Sequence, residues 1–126
     1  MKGIFLILTL VLFASGCGRK LPPDCRSVLE SGDYGRFELR GQGIAKDKDL
    51  GVDWFRCSVG QRFLNERCVG EPLFLRWETG VSTVKEMNEK AAESWRLPTL
   101  KELASLKVRG CGNPSVNLNV FPDILV

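Results

Sequence analysis

The chain has 126 residues, with 18 Lys and Arg against 15 Asp and Glu, a formal net charge of +3, and no histidine. That length holds one domain at most, and so even a charge balance does not mark a nucleic-acid partner. The absence of histidine excludes Ser-His-Asp and Cys-His catalysis without another base, and it excludes histidine metal sites.

Met1-Lys2-Gly3 is a short positive start, and the ten residues from Ile4 to Phe13 are apolar except for Thr9. This run is too short to cross a bilayer, which takes about 20 residues, and it has the form of a signal-peptide core. Ala14-Ser15-Gly16-Cys17 then places small residues directly before a cysteine. The stretch resembles the lipobox of bacterial lipoproteins. That resemblance implies cleavage between Gly16 and Cys17, a diacylglyceryl group on the Cys17 thiol, and a further acyl chain such as palmitate on the new amino terminus. The alternative is an ordinary secretory signal with Cys17 in a disulfide. Two or three acyl chains give stable anchoring where one gives only marginal binding. Gly18, standing where an aspartate would retain the protein at the inner membrane, implies release to an outer membrane. The expected organisation is a signal peptide over 1–16, a lipidated Cys17 with a Pro22-Pro23 tether over 17–24, and a single partial domain over 25–126. The 110 residues from Cys17 onward retain a side-chain charge of about +2.

Four further cysteines follow, Cys25, Cys57, Cys68 and Cys111. An even number in a small exported chain argues for two disulfides, with three connectivities open. We favour Cys57–Cys68, closing a local loop, and Cys25–Cys111, tying the start of the domain to its end. Chain entropy assigns roughly 3 kcal/mol to the short loop and about 4 to 5 kcal/mol to the long one. No cysteine pair has the short zinc-ligand spacing, so no metal or cofactor is expected.

Tyr34-Gly35-Arg36-Phe37-Glu38-Leu39 alternates as a half-buried strand would, Gly41-Gln42-Gly43 reads as a turn, and Ile44-Ala45-Lys46-Asp47 as a short strand. Asp47, Asp49 and Asp53 faintly suggest a calcium loop, but Ser58 occupies the position of the closing glutamate. An acidic turn before a strand is the better reading. Residues 51–57 form that strand, with Trp54 and Phe55 on opposite faces. Leu73-Phe74-Leu75-Arg76-Trp77 reads as another apolar strand. Arg56, Arg62, Arg67 and Arg76 alternate with acids and read as a solvated face rather than a polyanion site.

Ser82 or Thr83 is the expected cap of a helix burying Val84, Met87 and Ala91, with Trp95 continuing the stripe and Asn88 and Glu93 on the wet side. Pro98 stops helical geometry at Leu97, and Thr99 with Glu102 has capping-box spacing for a second helix from Leu100 to about Lys107. Leu100, Leu103 and Ala104 form its apolar face. The remaining acid/base candidates are scattered carboxylates with no pair at telling spacing, and a well-capped core corner explains Arg96 and Glu102 better than a catalytic role does.

Trp54, Trp95-Arg96-Leu97-Pro98-Thr99, Glu102, Asn113-Pro114 and Phe121-Pro122, in this order, resemble the Lcl C-terminal domain family, named for the last domain of a bacterial collagen-like adhesin. The resemblance covers about Lys46 to Pro122. It implies an α+β, C-type-lectin-like fold with two helices on a short twisted, mixed sheet. Members continue past Phe-Pro with further strands, so the resemblance also implies a truncated domain. It would have an open edge or apolar patch around Phe121, Ile124, Leu125 and Val126. The implied role is a non-catalytic binding or adhesion module of the bacterial envelope, lipid-anchored at the outer membrane and facing periplasm or cell surface. Its partners would be the membrane and an envelope protein or glycan. A structural or assembly role through an open sheet edge is the alternative. An enzyme, suggested only by remote fold kinship to the formylglycine-generating sulfatase modifiers, is the least supported.

Overall fold

The computed structural model describes residues 18–91 and 94–124. The expected signal peptide and Cys17, together with Glu93, Leu125 and Val126, lie outside the described residues. The elements run α1 (Cys25–Val28), β1 (Phe37–Arg40), a 3-10 turn (Gly41–Gly43), β2 (Ile44–Asp47), β3 (Val52–Phe55), β4 (Arg62–Leu64), β5 (Arg67–Val69), α2 (Trp77–Ala91) and α3 (Leu100–Ser105). The fold is α+β and carries two disulfides, Cys25–Cys111 and Cys57–Cys68, as the sequence led us to expect.

Strands β1, β2 and β3 form an antiparallel sheet in that order, and β4 pairs with β5 as a separate hairpin. All of this strand pairing is antiparallel, where a mixed sheet was expected; the parallel component among the described residues is the single bridge Asp24–Gly112. The register aligns Phe37 with Asp47 and Val52, and Leu39 with Ala45 and Trp54. Strand alternation therefore puts these six on one face. That face meets Val120 and Phe121, and the core is built from Ala45, Val120 and Phe121 with Phe37, Leu39, Trp54, Leu106 and Val116 packed around them. Phe121 meets Phe37 and Trp54 edge-on, at ring-centroid distances of 5.6 and 6.4 Å. This corrects the expected apolar patch at Phe121, because the sheet face already covers that ring.

The described residues after Cys111 form no helix or strand, so their polar groups are met from elsewhere. Arg56 is buried, in contrast to the solvated face expected of it. Its Nε donates to the Val120 carbonyl at 2.7 Å and its NH2 to the Asn119 carbonyl at 3.2 Å. Its guanidinium lies 4.6 Å over the Phe63 ring and pairs outward with Glu66 at 3.1 Å. Arg67 forms a bidentate pair with Asp123, which also accepts from the Cys68 N–H. Asn117 and Asn119 donate to the carbonyls of Asp33 and Glu30 from the other side.

Asp47 is fully buried at the end of β2. Its Oδ2 lies 2.8 Å from Arg36, and its Oδ1 accepts the Asp49 and Leu50 N–H groups. Burial alone would raise this carboxyl, but Arg36 and those two N–H groups hold it below its ordinary value. The acidic turn is thus structural. Arg36 also donates to the Ser105 carbonyl and hydroxyl, which ties the sheet to the end of α3. Gly43 takes a left-handed φ of 78°, and a side chain there would meet the Phe63 ring at 2.6 Å. That close approach seats the β4–β5 hairpin against the larger sheet.

Three expected elements differ. Residues 73–76 are not a strand, and α2 starts at Trp77 rather than at Ser82 or Thr83. The Ser82 and Thr83 hydroxyls both donate to the Thr79 carbonyl within the helix, which consumes the groups that would cap a new one. Gly80 is buried because Leu97 packs there, 3.8 Å from where a Cβ would stand. Helix α3 is capped by Thr99 as expected, but ends at Ser105, short of Lys107. Its Leu100 and Leu103 face solvent, and only Leu106, just beyond the helix, reaches the core.

Replacing Arg56 with Ala strips the Asn119 and Val120 carbonyls of their donor inside the core. The variant is expected to lose about 3 kcal/mol in urea unfolding, with Arg56→Lys recovering only part of it, since an ammonium cannot reproduce the planar fork.

Candidate functional site

The face of the sheet opposite the core presents Arg40 from β1, Ile44 from β2, and Asp53 and Phe55 from β3. Across from it stand Val84 and Met87 of α2 and the segment Trp95-Arg96-Leu97-Pro98. Together they enclose an open cleft of about 730 Å³. Its size falls within the ordinary range of small-molecule sites.

The far wall is built by local hydrogen bonding. Asn88 on α2 donates its side-chain amide to the Trp95 carbonyl at 2.7 Å and accepts the Trp95 N–H at 2.8 Å. This copies the two-bond pattern of paired strands and fixes Trp95 to the helix. The Trp95 ring then meets Phe55 edge-on across the cleft at 6.2 Å. Arg96 forms a bidentate pair with Glu102 at 2.8 and 2.6 Å. Glu102 also accepts the Thr99 N–H at 2.7 Å, while the Thr99 hydroxyl accepts the Glu102 N–H, completing the capping box. On the sheet side Arg40 lies 3.9 Å from Asp53. The cleft is therefore apolar and aromatic inside, with an ion pair at each lip.

Arg96, through the hydrogen bonds it donates, is the main cause holding Glu102 far down, at about 2, with the Thr99 N–H next. A carboxyl this acidic is an ionised acceptor at neutral pH rather than a proton donor. Its partner Arg96 is raised in turn by the same contact. The pair and the capping box together hold the turn from Arg96 into α3.

Strand β3 lies at the end of its sheet. The Arg56 N–H donates to the Gly43 carbonyl at 2.8 Å. Antiparallel alternation then makes Ala45–Trp54 and Asp47–Val52 the hydrogen-bonded pairs. The main-chain groups of Asp53 and Phe55 consequently point away from β2, to an edge that pairs with no strand among the described residues. That edge borders the cleft.

The expected motif residues are not gathered at one place. Trp95, Arg96, Leu97, Pro98 and Glu102 line the cleft, as does one border of Trp54, whose ring packs on Phe121 in the core. Phe121 and Pro122 belong to the clamped C-terminal segment. Asn113 and the buried Pro114 follow the Cys25–Cys111 bridge, where the Gly112 N–H donates to the Pro23 carbonyl at 2.9 Å. All four cysteines among the described residues are paired, and no group of three metal-binding side chains occurs there. Sequence reasoning put Asn88 on the wet side of the helix and missed its role. Nothing in helical periodicity separates an asparagine facing a main chain from one facing water. Ile44, Asp53 and Phe55 were legible as strand residues but not as a cleft wall, and Arg40 fell just outside the strand expected over 34–39.

A family model for the Lcl C-terminal domain matches residues 43–125, about two thirds of the chain. No curated protein and no solved structure matches.

Because Glu102 sits near 2 in the fold against an ordinary value of 4.5, its contribution to stability is complete above pH 4.5 and is lost as the pH falls toward 2. Urea midpoints measured from pH 5 to pH 2 are expected to fall less steeply in Glu102→Gln than in the wild type. At pH 7 the substituted protein is expected to be the less stable of the two.

Proposed function

The chain belongs to the Lcl C-terminal domain family, and from that premise we propose that it is a non-catalytic binding module, held at a bacterial envelope membrane by lipid on Cys17. The observation that carries this reading is the aromatic cleft. Phe55 and Trp95 offer flat apolar faces, and the Arg40–Asp53 and Arg96–Glu102 pairs offer fixed donors and acceptors at the lips. Stacking faces combined with oriented polar groups suit a sugar ring or a side chain of an envelope protein. The two disulfides and the signal-like start accord with export. A lipobox-like run ending at Cys17 accords with anchoring.

A second reading rests on the open edge of β3. An extended segment of another envelope protein could add to it as a fourth strand, drawing on the main-chain groups of Asp53 and Phe55.

The two readings separate by substitution. Glycan arrays and pull-downs from envelope extracts are expected to yield a ligand whose affinity falls about tenfold in Trp95→Ala. Strand addition instead predicts loss in Asp53→Pro, which removes an N–H the β2–β3 ladder does not use, with binding kept in Asp53→Ala, which removes the lip carboxylate and leaves that N–H in place. Absence of any glycan or envelope partner in both assays would overturn the proposal.

A further inference from the structure

The residues before and at the start of α2 form the most exposed apolar run of the fold. Phe74 is 89% exposed, Trp77 67% and Leu73 53%, with Leu75 and Val81 also open to water. Arg76 stands within the run and Glu78 follows it. Leu97 packs on Gly80, so the start of α3 flanks this part of α2, and its Leu100 is 83% exposed. Such a surface is costly in water and usually marks a contact.

The length of the tether indicates what covers it. Seven residues separate Cys17 from Cys25, but Pro22, Pro23 and Asp24 already lie against Gly112, so the span that can extend is Gly18 to Leu21, which with its flanking bonds reaches about 17 Å. A compact unit of about 100 residues has a radius of gyration near 13 Å, hence a diameter of about 34 Å. A lipid on Cys17 would therefore hold the domain on a leash shorter than the domain is wide. The domain would then stay close to the bilayer, and its exposed faces would meet that surface at a high effective concentration. The face with most to gain is the one carrying Phe74, Leu75 and Trp77. Tryptophan is favoured at the boundary between headgroups and acyl chains, and Arg76 can extend its charged end to the headgroups while its stem stays in apolar surroundings.

We infer that residues 73–77, with Val81, form a bilayer-contact face through which the domain lies on the phospholipid surface that holds Cys17. This inference rests on the anchored-module reading above. It adds an orientation: the domain reclines on the membrane by the start of α2.

The full chain, purified from membranes of a bacterial host, is reconstituted into phosphatidylethanolamine–phosphatidylglycerol vesicles with or without bromine high on the acyl chains. Its tryptophans are Trp54, Trp77 and Trp95. Bromine is expected to quench part of the wild-type emission, and that loss should disappear in Trp77→Phe. In Phe74→Ser/Leu75→Ser, which changes only exposed side chains and keeps the Trp77 reporter, quenching should be greatly reduced. Intact mass of the same sample reads the state of Cys17. An unmodified Cys17 overturns both this inference and the anchored-module reading. A lipidated Cys17 with unquenched Trp77 overturns the contact alone. A blue shift that grows with protein density rather than with bromine assigns the face to a second copy of the chain, and also overturns it.

Discussion

A guanidinium inside the protein organises most of what surrounds it. The described residues after Cys111 form no helix or strand, yet they supply Val120 and Phe121, two of the three residues at the centre of the core. Irregular backbone can be buried only where each polar group finds a partner. Arg56 satisfies two successive carbonyls from the end of β3, and Asn117 and Asn119 tie the same segment to residues 30 and 33. Phe121 can then lie against Phe37 and Trp54. Without the arginine fork, the aromatic core would be bought with two stranded carbonyls.

The core is small. Few apolar side chains are buried, and many large ones remain outside it. A domain of this size has little surplus from apolar burial alone. The covalent and ionic ties therefore matter more than they would in a larger fold. Cys25–Cys111 joins the two ends of the domain, Cys57–Cys68 closes a local loop, and the Arg36–Asp47 and Arg67–Asp123 pairs add ionic ties beside them. They also leave the second face of the sheet free to open into a cleft instead of being filled.

Much of this was legible in the residues. The alternation in 34–39 and 44–47, the paired cysteines and the Thr99–Glu102 cap rest on local rules, and local rules can be read along the chain. The family motif was legible as well. What escaped depended on distant partners. Arg56 looks like any surface arginine until the carbonyls of 119 and 120 arrive beside it. Leu73-Phe74-Leu75-Arg76-Trp77 has the composition of a strand, yet among the described residues no strand pairs with it. Gly80 looks like a helix breaker until Leu97 is seen to occupy the space its missing side chain leaves. Leu100 and Leu103 have helical spacing, and spacing alone does not reveal whether anything packs on that side. The cleft was the least legible feature, since its two walls come from segments some 40 residues apart.

The bridge between Cys25 and Cys111 has a mechanical corollary. Tension on the amino-terminal side of the domain enters through a covalent junction rather than at the end of a strand. From Cys111 it is handed to the stretch that Arg56 and Arg67 grip, and from there to the middle of the molecule. The three-stranded sheet is thus not loaded first at its outermost ribbon, and it is spared from peeling open like a zip. A body wired this way would keep its shape under drag while held at one point.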